Sequence, residues 1–160
     1  MPLATIRRRL LLRFCLLPAL LLLPAAAGAA GIGGTPAEAK ALAERAAALI
    51  ERVGYDQAAP LLRDRTGPFV DRNLYVAVFK LDGTMLLHPH IKALEGRRMM
   101  DDRDFYGRPY AREMWEIANG PGSGWVTYTF TAPLERKLRK KTTYVLRVGQ
   151  YYVISGAYLD

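Results

Sequence analysis

The apolar residues change their period along this chain, and that change limits the folds it can adopt. Between Ala39 and Val53 they recur three and four apart: Ala39, Leu42, Ala43, Ala46, Leu49, Ile50 and Val53. That spacing draws one apolar stripe down a helix of about five turns. Thr35 is placed to cap its start, Pro36 suits the first helical position, and Glu38 completes a capping box. Gly54 supplies the stop. From Leu74 the period is two instead. Tyr75, Ala77, Phe79 and Leu81 alternate with Val76, Val78 and Lys80, which is the mark of a strand.

The remaining segments follow from the same signals. Residues 55–65 predict a second, shorter helix, with Ala58, Ala59, Leu61 and Leu62 available to pack and Thr66-Gly67-Pro68 to stop it. Asp82-Gly83 predicts a two-residue type I′ hairpin, which needs positive φ at both central positions. Residues 84–88 are the returning strand, halted by Pro89, and 90–107 read as a long polar loop. Residues 109–119 predict a helix with Tyr110, Met114, Ile117 and Ala118 on one face, broken by Gly120-Pro121-Gly122. Strands at 124–130, 142–148 and 151–158 complete the chain. Short links between strands imply an antiparallel sheet. The expected fold class is α/β in the α+β sense: about five strands, with the long N-terminal helix packed on one face.

The first thirty residues stand apart. Arg7, Arg8, Arg9 and Arg13 precede a short apolar run at 14–23, and Ala25-Ala26-Ala27-Gly28-Ala29-Ala30 offers the small residues a signal peptidase needs. Pro18 and Pro24 interrupt the run, which is short for a membrane span. We expect a signal peptide over 1–30 and one domain over 35–160, exported to the periplasm or another extracytoplasmic space. A retained leader would tether that domain to the membrane. The single cysteine, Cys15, leaves with the leader, so the domain must rest on its core rather than on disulfides. Four of the 23 basic residues precede Ala30, leaving 19 against 15 acidic ones, a mild excess. The one dense basic run, 136–141, reads as a solvated loop between strands, and no nucleic-acid partner is expected.

The chemistry available points away from an enzyme. Ser123 and Ser155 lack a nucleophile-elbow context, and no phosphate-cradling glycine loop is present. His88-Pro89-His90 offers two metal-type ligands, too few for a site by themselves. Asp102, Asp104, Gly107 and Glu113 fall on calcium-loop spacing, but Tyr106 occupies a position that wants an oxygen-rich acceptor. No metal and no cofactor are expected. The aromatic residues concentrate in the sheet half and suit either a core or a pocket for a small polar ligand. Lys141, entering a strand beside Tyr144, can offer a fixed positive charge to a carboxylate or can simply face water.

One ordered series of short motifs spans the domain. It runs through Leu74-Tyr75-Val76, Asp82-Gly83, His88-Pro89, Leu94-Glu95-Gly96-Arg97, Asp104 with Gly107, and Glu113-Met114. It continues with Gly124-Trp125-Val126-Thr127-Tyr128, Lys141 with Tyr144-Val145, and Gly156-Ala157-Tyr158. In order and spacing this series resembles the single Cache domain of the type-2 family, the extracytoplasmic small-molecule sensors of chemoreceptors and sensor kinases. The resemblance implies a PAS-like fold and a pocket between the sheet and residues 88–119. It implies a small organic acid as ligand. By position it makes His88, Tyr106, Trp125, Tyr128, Lys141 and Tyr144 the ligand-binding candidates, with Lys141 on the carboxylate, His88 and the tyrosines donating hydrogen bonds, and Trp125 as an apolar wall. The sequence ends at Asp160, directly after the last strand. We therefore expect a binding domain without its own signalling output, working with a separate membrane receptor, sensor kinase or transporter. The alternative is a degenerate Cache domain that serves as a protein–protein interaction module. The Ala-rich surface of the N-terminal helix would suit close packing in a homodimer.

Overall fold

The computed structural model describes residues 33–159. The predicted signal peptide lies outside the described residues. Helix α1 spans Pro36–Val53. Its capping box is present: Glu38 N–H donates to Thr35 Oγ1 at 3.2 Å, and Thr35 N–H donates to Glu38 Oε2 at 2.7 Å. The stripe read from the sequence is the buried one, with Ala39, Leu42, Ala43, Ala46, Leu49 and Ile50 all in the core. Alanines along it bring the helix axis close to the sheet, while each leucine or isoleucine it buries contributes about 1.5–3 kcal/mol. Helix α2, Tyr55–Arg63, follows directly after Gly54.

Among the described residues the sheet has six strands: β1 Val70–Asp71, β2 Leu74–Lys80, β3 Met85–Leu87, β4 Ser123–Ala132, β5 Lys137–Val148 and β6 Tyr151–Tyr158. Its order is β1-β2-β6-β5-β4, and β3 pairs with β2 on the same edge as β1. Every pairing is antiparallel. Helix α1 covers one face, where Leu74, Val76, Val78, Tyr144, Val148, Val153 and Ala157 are buried. Helix α3, Tyr110–Asn119, covers the other with the loop before it, over Ala77, Phe79, Val126, Tyr128, Val145 and Tyr152. Strand β2 is apolar at nearly every position because both its faces are covered. Trp115 Nε1 donates to Leu81 O at 2.7 Å and fixes α3 across the end of β2.

The antiparallel sheet of about five strands expected from the sequence is present with six among the described residues, because the two residues of β1 are too few to show a period. Three local expectations are corrected. Between β2 and β3 only Gly83 takes positive φ, at 87°, so the turn is not type I′. Gly83 N–H donates to Lys80 O at 3.0 Å, and Asp82 Oδ1 accepts from Thr84 N–H at 2.9 Å, which makes a three-residue loop closed by a glycine bulge. Most of the basic run is strand, not loop: β5 begins at Lys137 and pairs with β4 from Ala132 onward. Backbone pairing next to the hairpin turn leaves the Lys137 and Lys140 side chains in water, so their low strand preference does not oppose it, while Lys141 at the end of the run is buried. Finally, α2 stops at Arg63.

Candidate functional site

The face of the sheet beneath α3 holds a buried cation. Lys141, on β5, is 3% exposed, and its Nζ donates to Tyr75 Oη at 2.9 Å. The ammonium lies 4.1 Å from the Tyr75 ring centroid, 4.8 Å from that of Tyr158 and 5.8 Å from that of Phe130. Among the described residues no carboxylate pairs with it. Aromatic faces return part of the hydration that burial removes, but a cation without a counter-charge still favours its neutral form. Burial accordingly pushes the Lys141 pKa down to about 7.

His88 lines the same cavity. Its Nδ1 accepts from the backbone N–H groups of His90 at 3.2 Å and Ile91 at 3.1 Å. An accepting Nδ1 leaves the ring proton on Nε2, so the imidazole is a neutral donor. Burial, helped by the nearby charges of Lys141 and His90, pushes its pKa down to about 3. The orientation of His88 traces to an irregularity in the β2–β3 pair. Val78 pairs with Leu87 but Phe79 pairs with Met85, so Leu86 is an extra residue. A bulge of this kind reverses which face the following side chains meet. It lets Leu87 join the α1 core while His88 turns to the α3 side. The Leu86 carbonyl accepts from Tyr55 Oη at 3.2 Å, and His88 N–H donates to Glu95 Oε1, which also holds Arg63.

Tyr128 lies directly opposite Lys141 in the β4–β5 register. Thr143 Oγ1 donates to its hydroxyl at 3.3 Å, and Tyr110 of α3 stacks on its ring at 4.3 Å. Burial holds the Tyr128, Tyr110 and Tyr75 phenols above their ordinary range, so all three are neutral hydrogen-bonding groups. Phe79, Met85, Met99 and Met114 supply the apolar remainder. The inner cavity encloses about 30 Å³, room for about two waters. Beyond it lies an open outer chamber of about 470 Å³ between the β4–β5 hairpin and the 65 and 90 loops. Leu94, Met99, Tyr110 and Phe130 border both and form the partition.

Of the six candidates, the structure brings His88, Tyr128 and Lys141 to one cavity and leaves three outside it. Tyr106 is 79% exposed on the loop before α3. Tyr144 is buried on the α1 face, and Trp125 is its cross-strand partner there, with ring centroids 5.0 Å apart. The pleat is the reason: Lys141 and Tyr144 are three residues apart on one strand, as are Trp125 and Tyr128, so each pair straddles the sheet. Tyr75, Phe130, Tyr158 and Gly156 also build the site. An isolated glycine inside a strand marks a close approach, and that signal was present at Gly156. A methyl group there would collide with Thr143 Oγ1 and stand 2.8 Å from Lys141 Cε.

The arrangement can hold an anion in a dry, aromatic setting. Its polar groups are one cation and several neutral hydrogen-bond partners. His88 and His90 have ring centroids 6.4 Å apart, and among the described residues no three metal-ligating side chains gather.

A family model described as the Cache domain matches residues 51–160. The chain belongs to the Cache domain family. Solved structures of Cache and chemoreceptor domains share its fold. A "periplasmic sensor domain of chemotaxis protein" is 25% identical, with a TM-score of 0.61 over 78% of this chain and 90% of that one. A methyl-accepting chemotaxis protein from Vibrio parahaemolyticus RIMD 2210633 is 18% identical, with a TM-score of 0.66 over 78% and 88%. A structure described as the basis for carboxylic acid recognition by a Cache chemosensory domain is 24% identical, with a TM-score of 0.61 over the same shares. No curated protein matches the chain. The long N-terminal helix on an antiparallel sheet is therefore the PAS-like Cache fold. Among the described residues, no helix is long and apolar enough to cross a membrane.

Proposed function

We propose that this Cache domain binds a small carboxylate, with Lys141 as the group that receives the negative charge. The observation that carries the reading is a buried ammonium that has no acidic partner among the described residues. Burying a cation costs several kcal/mol unless something compensates, and a bound carboxylate supplies the missing counter-charge. His88 Nε2–H and the Tyr75 hydroxyl are the neutral partners for the carboxylate oxygens. Tyr128 and the methionines bound the rest of the ligand. Met85, Met99 and Met114 have the rotamer freedom to open a cavity that is nearly closed without ligand. Carboxylic acid recognition by a 24% identical Cache chemosensory domain is consistent with this assignment.

In this reading the protein is an exported sensor domain whose residues 1–30 direct it across the membrane. A separate receptor, sensor kinase or transporter reads its ligand state, and α1 is the surface for a homodimer. Binding, not catalysis, is its activity. The small inner volume favours one other reading, an interaction module whose pocket is filled by its own side chains. A thermal-shift screen of the domain against short monocarboxylates, dicarboxylates, amino acids and amines separates the two. A ligand that binds only the folded state raises the melting temperature by mass action. We expect a rise with carboxylates that is lost in Lys141→Met. A folded domain that answers to none of them would leave the interaction module.

A further inference from the structure

The outer chamber carries charge that the inner cavity does not use. Arg65 and Arg136 both line it. Arg65 Nε donates to Pro89 O at 2.7 Å, which fixes the guanidinium while leaving its terminal nitrogens uncommitted. Among the described residues neither arginine pairs with a carboxylate. Among the described residues the one acid lining the chamber, Asp102, is already held by Arg97 at 3.5 Å. At the threshold sits His90, edge-on to the Tyr75 ring at 5.1 Å, and its buried Nε2 has no hydrogen-bond partner among the described residues. Phe130 borders both chambers, with its ring centroid 5.8 Å from Lys141 Nζ. The two chambers are thus neighbours divided by side chains, with a cation in the inner one and two more in the outer.

We infer that the outer chamber is a second anion subsite, and that the favoured ligand is a diacid whose first carboxylate meets Lys141 and whose second meets Arg65 and Arg136. This rests on the reading of Lys141 as a carboxylate's partner. A short monoacid would fill the inner cavity alone and leave both arginines and His90 Nε2 unanswered. A diacid long enough to pass the Phe130 ring brings an acceptor to the threshold and two oxygens to guanidiniums that can take them side by side.

The backbone provides a clean test. Arg136 closes the β4–β5 hairpin at φ 56°, in the left-handed region that favours glycine. Arg136→Gly therefore removes the charge while the fold keeps or gains thermal stability. Affinities of the purified domain would be measured by calorimetry for malonate, succinate, glutarate and adipate, each against the monoacid of equal chain length. The best diacid should exceed its monoacid by about tenfold, the scale of one charge-assisted hydrogen bond. Arg65→Gln combined with Arg136→Gly should bring that diacid down to the monoacid and leave the monoacid within about twofold of its original affinity. Equal binding of monoacids and diacids by the unaltered domain overturns the subsite. So does an equal loss of both in the double variant, which would reduce the arginines to general attraction. In those two cases Lys141 keeps its role. If no acid of either series binds, or if Lys141→Met binds them as well as the unaltered domain, the carboxylate reading fails and the subsite falls with it.

Discussion

Lys141 Nζ reaches Tyr75 Oη across an intervening strand. The donor lies on β5, the acceptor on β2, and β6 runs between them. The bridge is possible because Gly156, on β6, has no side chain beneath the lysine stem. The site is therefore written on three strands at once, and its charge is held by aromatic rings rather than by an acid.

A cation held in this way should weaken the empty domain. Lys141→Met keeps the stem's volume and removes the buried charge. Replacing buried charge by a well-packed apolar side chain is neutral to stabilising, so urea unfolding of the ligand-free variant should show a gain of about 1–3 kcal/mol. The same variant should lose carboxylate binding. A loss of stability instead would mean that the lysine is a structural support.

The lysine also sets a pH dependence. Its pKa falls from 10.5 in the unfolded chain to about 7 in the fold. Below about pH 7 both forms are protonated, and the burial penalty is constant. As pH rises from 7 towards 10.5, the folded lysine is neutral while the unfolded one still holds its proton. Stability then rises with pH, by at most about 1.4 kcal/mol per unit. Urea midpoints between about pH 7 and 9, below the titration of the tyrosines, should increase, and Lys141→Met should flatten that slope. Carboxylate affinity should move the opposite way and weaken above neutrality.

Gly156→Ala tests the passage over β6. Its methyl group would collide with Thr143 Oγ1 and press on Lys141 Cε. Overpacking of this kind costs about 1–3 kcal/mol, read as a lower urea midpoint. Carboxylate affinity should fall as well, because the ammonium can no longer hold its seat against Tyr75. In a Gly156→Ala/Lys141→Met double variant part of the lost stability should return, since a methionine stem is free to bend away.

How far the sequence reveals these features depends on whether the signal is local. The α1 stripe and its capping box at Thr35 and Glu38 are periodic or short-range, and they appear in the fold as read. So does the β2 strand, whose successive side chains alternate between the two covered faces, Val76 and Val78 towards α1 and Ala77 and Phe79 towards α3. The two-residue β1 has no period, and the charged start of β5 is strand only because β4 lies beside it. Strand parity was readable at the site and separates Lys141 from Tyr144 and Tyr128 from Trp125. Tyr106 is different: its loop path is set by Asp104, which accepts from Tyr106, Arg108 and Thr129 N–H groups. The last of these ties the loop to β4, a long-range contact that no local pattern encodes. The turn of His88 towards the cavity needs the Leu86 bulge, which depends on the β2 register.

That bulge yields the last prediction. Leu86 has no cross-strand partner among the described residues, and Tyr55 Oη donates to its carbonyl at 3.2 Å from the start of α2. Tyr55 also packs against Tyr151, with ring centroids 5.3 Å apart, so Tyr55→Phe keeps the ring contact and deletes only the donor. A net hydrogen bond of this kind is worth about 1 kcal/mol, and the urea midpoint should fall accordingly. If the bonded bulge fixes His88, the variant should also bind carboxylates more weakly, although less so than Lys141→Met does. In the nuclear magnetic resonance spectrum, amide exchange at His90 and Ile91 should quicken, because their N–H groups depend on a correctly turned His88 Nδ1. Unchanged exchange at both, with the expected drop in stability, would show that the bulge holds its geometry without Tyr55 and that His88 is fixed by Glu95 through its backbone.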